Sequence, residues 1–320
     1  MAIPARNQRV RGAPELAPLT VSVDSGLAYE ALMGLTLFAG SESESSYEVG
    51  EAWFKRVRGQ ASKRLKESAR SLLGREGYLV VGLAGFATEA GGRDVERLVE
   101  RIRADETGEV KRALIGHGHH PGKLADRDPR EVALAAADLL ELWNDEIFRE
   151  LGPPLVDELD ASADIIRRQQ RHFSPDRLIV KATRGIEYHR EPWIQSVLLV
   201  PSVLNRPWVD MHDWGAVKYF FYPASSEEAS PAAQLVEVYK ALGDETRLRI
   251  LRHLSRGPTS LTALAEELGL AKSTVSQHMV VLRSAGLTRS LVGGESKHGK
   301  GYVLNERPDL NDLLDGFLKS

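Results

Sequence analysis

Apolar residues recur three and four positions apart from Thr259 to Leu287, TSLTALAEELGLAKSTVSQHMVVLRSAGL, and that rhythm predicts two short helices joined by a tight turn. Leu261, Leu264, Ala265 and Leu268 share one face of the first helix, and Gly269 supplies a residue that tolerates a left-handed C-cap. Val275, Met279 and Leu282, spaced i, i+4, i+7, form the buried stripe of the second. The opposite face carries Lys272, Ser273, Thr274, Ser276, Gln277 and His278. This is the pattern of a helix-turn-helix, whose second helix is suited to a DNA major groove.

The flanks extend the pattern. Gln234 to Leu242 forms a helix, Gly243 breaks it, and Asp244 caps a second whose core positions are Leu248, Ile250, Leu251 and Leu254. Beyond the motif, Thr288–Val292 and Tyr302–Leu304 alternate as paired strands. The segment between them, Gly293 to Gly301, is too long and too rich in glycine for a tight hairpin turn. It bears Lys297, His298 and Lys300 and has the character of a wing that tracks phosphates or enters a minor groove. A last amphipathic helix, Leu310–Leu318, leaves an apolar stripe in need of a partner.

Upstream the signals are weaker. Residues 1–18 are polar and expected to be mobile; residues 19–24 alternate as a strand, with Ser25 placed to cap a helix from Leu27 to Phe38. Helical composition runs from Glu51 to Leu73, anchored by Trp53, Phe54, Val57, Leu65 and Leu72, and its many Lys and Arg are expected to form a solvated face. Tyr78–Phe86 is apolar and fits either a buried strand or a buried helix. Amphipathic helices follow at residues 93–103 and 128–151, the latter with Pro129 in its first turn and Trp143, Ile147 and Phe148 facing inward. Gly152-Pro153-Pro154 ends it, and residues 155–172 resume as helix. The runs at 193–204 and 217–222 are expected to be strands of a small antiparallel sheet, separated by Asn205-Arg206-Pro207 and by His212 to Gly215. Pro223 to Ser230 has the composition of a linker. The expected class is therefore α+β and mostly helical: a mobile segment at 1–18, an α+β sensing or assembly domain at 19–225, and a winged helix-turn-helix at 226–320.

Composition narrows the chemistry. The 320 residues contain no cysteine, which excludes disulfides and thiolate metal sites and fits a reducing compartment. No secretory leader and no long apolar run is present, so no membrane span is expected and a cytoplasmic location is. Net charge is −3. Residues 231–320 carry 12 Lys and Arg against 10 Asp and Glu, a weakly basic module on an acidic body that suits local contact with nucleic acid.

The run ALGDETRLRILRHL, the turn LAEELGLAKSTVSQHMVVLRSAGL and the wing together resemble the ArsR-type winged-helix repressors. That resemblance covers about 90 residues. It implies a homodimer whose interface is formed by the first and last helices of the module, here Gln234–Leu242 and Leu310–Leu318. Its two recognition helices, about 34 Å apart, would read a pseudo-palindromic double-stranded operator. The DNA-binding set is then Lys272, Ser273, Thr274, Ser276, Gln277, His278, Lys297, His298 and Lys300. Ser273, Thr274 and Gln277 suit base edges, with glutamine fitted to adenine. Lys272, Lys297 and Lys300 suit phosphates. Ser273 can instead cap its helix, and His278 can pack beside the buried stripe.

Many members of that family sense metals through cysteines on the helix before the recognition helix or through histidines on the last helix. Leu261 to Leu268 and Asp309 to Ser320 contain neither, so no metal site of that kind and no cofactor are expected. His117, His119 and His120, between Gly116 and Pro121, form a loop more readily than a metal site. Gly82 and Gly85 after an apolar run hint at a nucleotide turn, but no full glycine fingerprint, phosphate-binding lysine motif or nucleophile elbow is present. Asp157, Glu158 and Asp160 share a short helix with no evident partner. The N-terminal region resembles, in LLVPSV and YFFYPA, a domain that precedes ArsR-type winged helices in some regulators. The expectation is a non-enzymatic transcriptional regulator, a repressor, with a small-molecule effector as a further partner; Trp53, Trp143, Trp193, Trp208 and Trp214 can line an apolar pocket. The competing expectation is an N-terminal enzyme or small-molecule-binding protein whose appended winged helix serves mainly for dimerisation.

Overall fold

A computed structural model describes residues 18–40, 44–74, 77–116, 124–225, 231–293 and 301–305, with Leu314, Phe317 and Leu318 beyond them. The chain begins with strand β1 (Thr20–Val23) and the buried helix α1 (Leu27–Ala39). A helical layer follows: α2 (Gly50–Gln60), α3 (Lys63–Leu73), α4 (Ala84–Glu89), α5 (Val95–Arg103), α6 (Glu109–Ile115) and α7 (Pro129–Trp143). A π-helical turn at Asn144–Phe148 leads into the short α8 (Arg149–Leu151) and then α9 (Val156–Gln169) and α10 (Pro175–Ala182). Next come the strands β2 (Ile186–His189), β3 (Ser196–Ser202), β4 (Asp210–Trp214) and β5 (Val217–Pro223). The C-terminal part holds α11 (Pro231–Leu242), α12 (Glu245–Leu254), β6 (Thr259–Ser260), α13 (Leu261–Leu268), α14 (Lys272–Ser284), β7 (Thr288–Gly293) and β8 (Gly301–Leu304).

Caps account for several helix starts. Ser62 accepts the Leu65 amide, Asp94 that of Arg97, and Asp128 those of Arg130 and Glu131 ahead of Pro129. Ser25 does not cap α1; its buried hydroxyl instead donates to Asp160, 2.6 Å away. The apolar run from residue 78, open between strand and helix in the sequence, is a 3₁₀ turn over Gly77–Leu83 followed by α4.

The first sheet has the order β1-β3-β5-β4. The expected antiparallel pairing of the two apolar runs is wrong: β3 lies parallel to both β1 and β5, and only β4 runs against β5. Burial explains this. Leu198, Val200, Tyr219 and Phe221 pack under the helical layer, while Val197, Leu199, Phe220 and Tyr222 pack against α9 and α10. Strands covered on both faces by helices are the usual setting of parallel pairing, and they lack the alternation of a half-exposed hairpin. The residues around His212, expected to separate the strands, form β4 itself.

The second sheet, β2-β7-β8-β6, joins residues 186–189 to strands of the C-terminal part. β7 and β8 pair antiparallel as predicted, β6 adds to β8, and β2 runs parallel to β7 with Ile186 opposite Ser290 and Tyr188 opposite Val292. Val292 is buried in the same cluster as Ile186, Tyr188 and Phe220. β7 is thus anchored in the N-terminal core through Val292, while Tyr302 of β8 packs with the helix-turn-helix core.

Glu30 is a charge set in that core. It lies on α1 at 1% exposure and accepts the amides of Val203 (2.9 Å) and Leu204 (2.7 Å), while its Oε2 has no partner among the described residues. Burial pushes its carboxyl from the usual 4.5 up to about 7. Because the folded carboxyl keeps its proton to higher pH than the unfolded one, its contribution to stability is complete below the ordinary value. That contribution is lost as pH rises through the folded one. Glu30→Gln keeps an acceptor for both amides and removes the ionisation. The wild type should lose roughly 2–3 kcal/mol from this group between about pH 5 and pH 8 while the variant does not, as read by urea unfolding across that range.

Candidate nucleic-acid interface

The face that can meet DNA is set by how α14 is held. Val275, Met279 and Leu282 are all buried and pack with Leu264, Ala265 and Leu268 of α13 and Ile250 and Leu254 of α12. Leu248, expected in this core, is 48% exposed; the buried positions of α12 are Ile250 and Leu254, four apart, and Leu248 falls outside that stripe. Gly269 closes α13 at φ 67°, and Ser260 opens it by accepting the Ala263 amide. Asp244 caps α12 through the Arg247 amide at 2.9 Å, and that hydrogen bond holds its carboxyl below the usual carboxylate range. Arg247 in turn donates to the carbonyls of Ala241 (2.6 Å) and Lys240 (2.7 Å), closing the end of α11.

With the apolar stripe inward, Lys272 and Ser273 are exposed and Thr274, Ser276 and Gln277 are half-buried. The residue at the N-cap is Ala271, with no side-chain cap. Ser273 therefore stands at the second position of the helix rather than capping it, and no side chain among the described residues caps the first-turn amides, which remain donors for an anion. His278 is less available: its ring is 19% exposed and its Nδ1 lies 3.8 Å from Asp244. Lys297, His298 and Lys300 lie outside the described residues, as do His117, His119 and His120. Among the described residues no group of three or more His, Asp or Glu could hold a metal ion.

Sequence reasoning missed the far end of the same helix. Arg283 is buried, and its guanidinium donates to the carbonyl of Thr183, the C-cap of α10, and to that of Arg184 at 3.3 Å. Burial pulls its pKa down to about 10, so it remains charged at neutral pH. The signal was a cation four residues after Met279, at the edge of the apolar stripe. On the wing, Arg289 pairs with Glu187 of β2 at 2.9 Å.

The other sequence candidates resolve into packing. A side chain on Gly82 would run into the Ala113 carbonyl and one on Gly85 into the Trp214 ring, so both serve close approach of elements. Asp160 accepts from Ser25 and from Arg93 at 2.9 Å, and Glu158 from Arg206 at 2.6 Å; these carboxylates have partners after all. Trp53 and Trp143 are core residues, Trp214 packs edge-on against Phe86, Trp208 donates to the Ser46 carbonyl, and Trp193 is 60% exposed. They do not share one cavity.

A family model described as a helix-turn-helix domain matches residues 242–290. The chain is 40% identical over 93 residues to the HTH-type transcriptional regulator NmtR of Mycobacterium tuberculosis, covering 29% of this chain and 74% of that protein. The chain belongs to the ArsR-type helix-turn-helix regulators. KmtR, another HTH-type transcriptional regulator of M. tuberculosis, is 38% identical over 94 residues, covering 26% of this chain and 72% of KmtR. The uncharacterized HTH-type regulator YceK of Bacillus subtilis is 34% identical over 86 residues, covering 26% of this chain and 82% of YceK. A crystal structure of an ArsR family transcriptional regulator aligns over 29% of this chain and 90% of that one, at 24% identity and a TM-score of 0.23. As an ArsR-type regulator the protein is DNA-binding. No helix among the described residues is long and apolar enough to cross a membrane.

Proposed function

We propose that the protein is an operator-specific repressor that acts as a homodimer in the cytoplasm and is controlled, through residues 19–225, by a signal other than a thiolate-bound metal. Residues 226–320 form the DNA-binding and dimerisation module. One observation carries the reading: α14 presents Lys272, Ser273, Thr274, Ser276 and Gln277 on the side opposite its buried stripe, with its first-turn amides uncapped. Gln277 reads a base, Ser273 and Thr274 add contacts at base edges or phosphates, and Lys272 with Lys297 and Lys300 neutralises phosphates.

Dimerisation is supported by α11, where Val236 and Tyr239 are about half exposed while Leu235, Val238 and Ala241 are buried. Leu314, Phe317 and Leu318, all helical, are exposed as well. Control through the N-terminal half is supported by the β2–β7 pairing and by Arg283, which tie the recognition helix and wing strands to residues 183–189.

Gln277→Ala tests base reading. It should cost roughly 1–3 kcal/mol at one operator position and leave affinity for an operator altered at that position nearly unchanged. Uniform weakening on every sequence in a competition assay would show that Gln277 does not read a base.

A further inference from the structure

Between α9, α10 and the end of β5 on one side, and α11 with the C-terminal end of α14 on the other, lies a cavity of about 580 Å³. That is the size of a site for a small organic molecule. Ile165, Ile166, Val180 and Val238 give it apolar walls. Its charged lining is mostly cationic: Lys181, Arg184 and Arg283, against Glu237. Arg283 is the buried one, and the groups it donates to are neutral carbonyls. Across the wall stands Tyr222, 2% exposed, whose hydroxyl has the Ser162 side chain beside it. A buried guanidinium whose partners among the described residues are neutral carbonyls, and a buried hydroxyl beside a serine, can both donate to an anionic oxygen.

We propose that this junction cavity binds a small organic anion, its carboxylate or phosphate lying among Arg184, Arg283 and the Tyr222 hydroxyl and its apolar body against Ile165, Ile166 and Val238. The site deepens, and rests on, the reading of the N-terminal half as the source of the controlling signal. An anion competes with the Thr183 and Arg184 carbonyls for the Arg283 guanidinium. Since Arg283 belongs to the recognition helix, occupancy resets how α14 is held against α10. The shift in DNA affinity equals the difference in anion affinity between the DNA-competent and incompetent arrangements.

Isothermal titration of the full chain without DNA, using benzoate, phenyl phosphate and the neutral benzamide, tests the site and separates carboxylate from phosphate. Saturable binding of benzoate or phenyl phosphate, with benzamide at least about tenfold weaker, is expected. Arg184→Asn removes a charge at φ 53°, where asparagine is tolerated, and Tyr222→Phe removes only the hydroxyl, so both variants should keep the wild-type circular dichroism spectrum. Each should weaken the anion about tenfold. Absence of saturable heat from either anion, equal binding of benzamide, or wild-type affinity in both variants would overturn the site. A second arm measures anisotropy of labelled upstream DNA with and without the bound anion, where a change of about fivefold or more is expected. An unchanged DNA affinity overturns the coupling. Failure to bind DNA under any condition counts against the regulator reading alone, since calorimetry reads the cavity by itself.

Discussion

Glutamates at both Val236 and Tyr239 are expected to convert the protein to a monomer and to lower operator affinity by about two orders of magnitude or more. The two residues lie on α11, 50% and 51% exposed, in the surface proposed above to form the dimer interface. Two carboxylates there oppose their own copies across a two-fold axis, where neither can be neutralised. The fold of each protomer is spared, because the residues holding α11 inward are Leu235, Val238 and Ala241. Affinity falls because, in the proposed dimer, two linked recognition helices bind the second half-site as an intramolecular event, a gain of about 10²–10⁴ over one helix alone. Sedimentation velocity and anisotropy on the same samples check both halves of the prediction. A variant that stays dimeric, or a monomer that binds the full operator as tightly as the wild type, would place the interface elsewhere.

The second large effect is on stability. Arg283→Met keeps an unbranched chain of similar reach but leaves the Thr183 and Arg184 carbonyls without their donor. The buried Thr183 acceptor so stranded costs about 1–3 kcal/mol and the part-buried Arg184 acceptor less, offset in part by no longer burying a charge. A net loss of about 2–4 kcal/mol is expected by chemical denaturation. The effect concentrates at the join, so the winged helix and the N-terminal half should unfold in separate steps where the wild type unfolds in one. Arg283→Lys should recover only part, since an ammonium lacks the fork that reaches two carbonyls at once. A single wild-type-like transition in Arg283→Met would show that the tie between α14 and α10 contributes little.

The parts of the molecule legible in the sequence are those set by contacts close along the chain. Val275, Met279 and Leu282 repeat at helical spacing, Gly269 and Asp244 mark a stop and a start, and all five do what their chemistry predicts. Features set by distant partners were not legible. β2 is four residues, Ile-Glu-Tyr-His, too short to announce a strand, and its partner β7 lies about 100 residues away. The parallel arrangement of β1, β3 and β5 depends on helices covering both faces, which the apolar runs alone do not specify. Ser25 and Asp160 are 135 residues apart, so the serine's partner was invisible where local capping seemed available. Arg283 was hidden for a different reason. A cation at the edge of an apolar stripe ordinarily faces water, and only the docking of α10 turns it into a buried donor.

The central claim is specific recognition of DNA by α14. Its most direct test is anisotropy of the full chain against DNA from its own upstream region and against the same bases shuffled, over a range of salt. Both affinities should fall linearly in log–log form as phosphate counterions compete. The natural sequence should remain about 10³-fold tighter or better at every salt. Equal affinity for both sequences at all salts, or no binding to either, would contradict it.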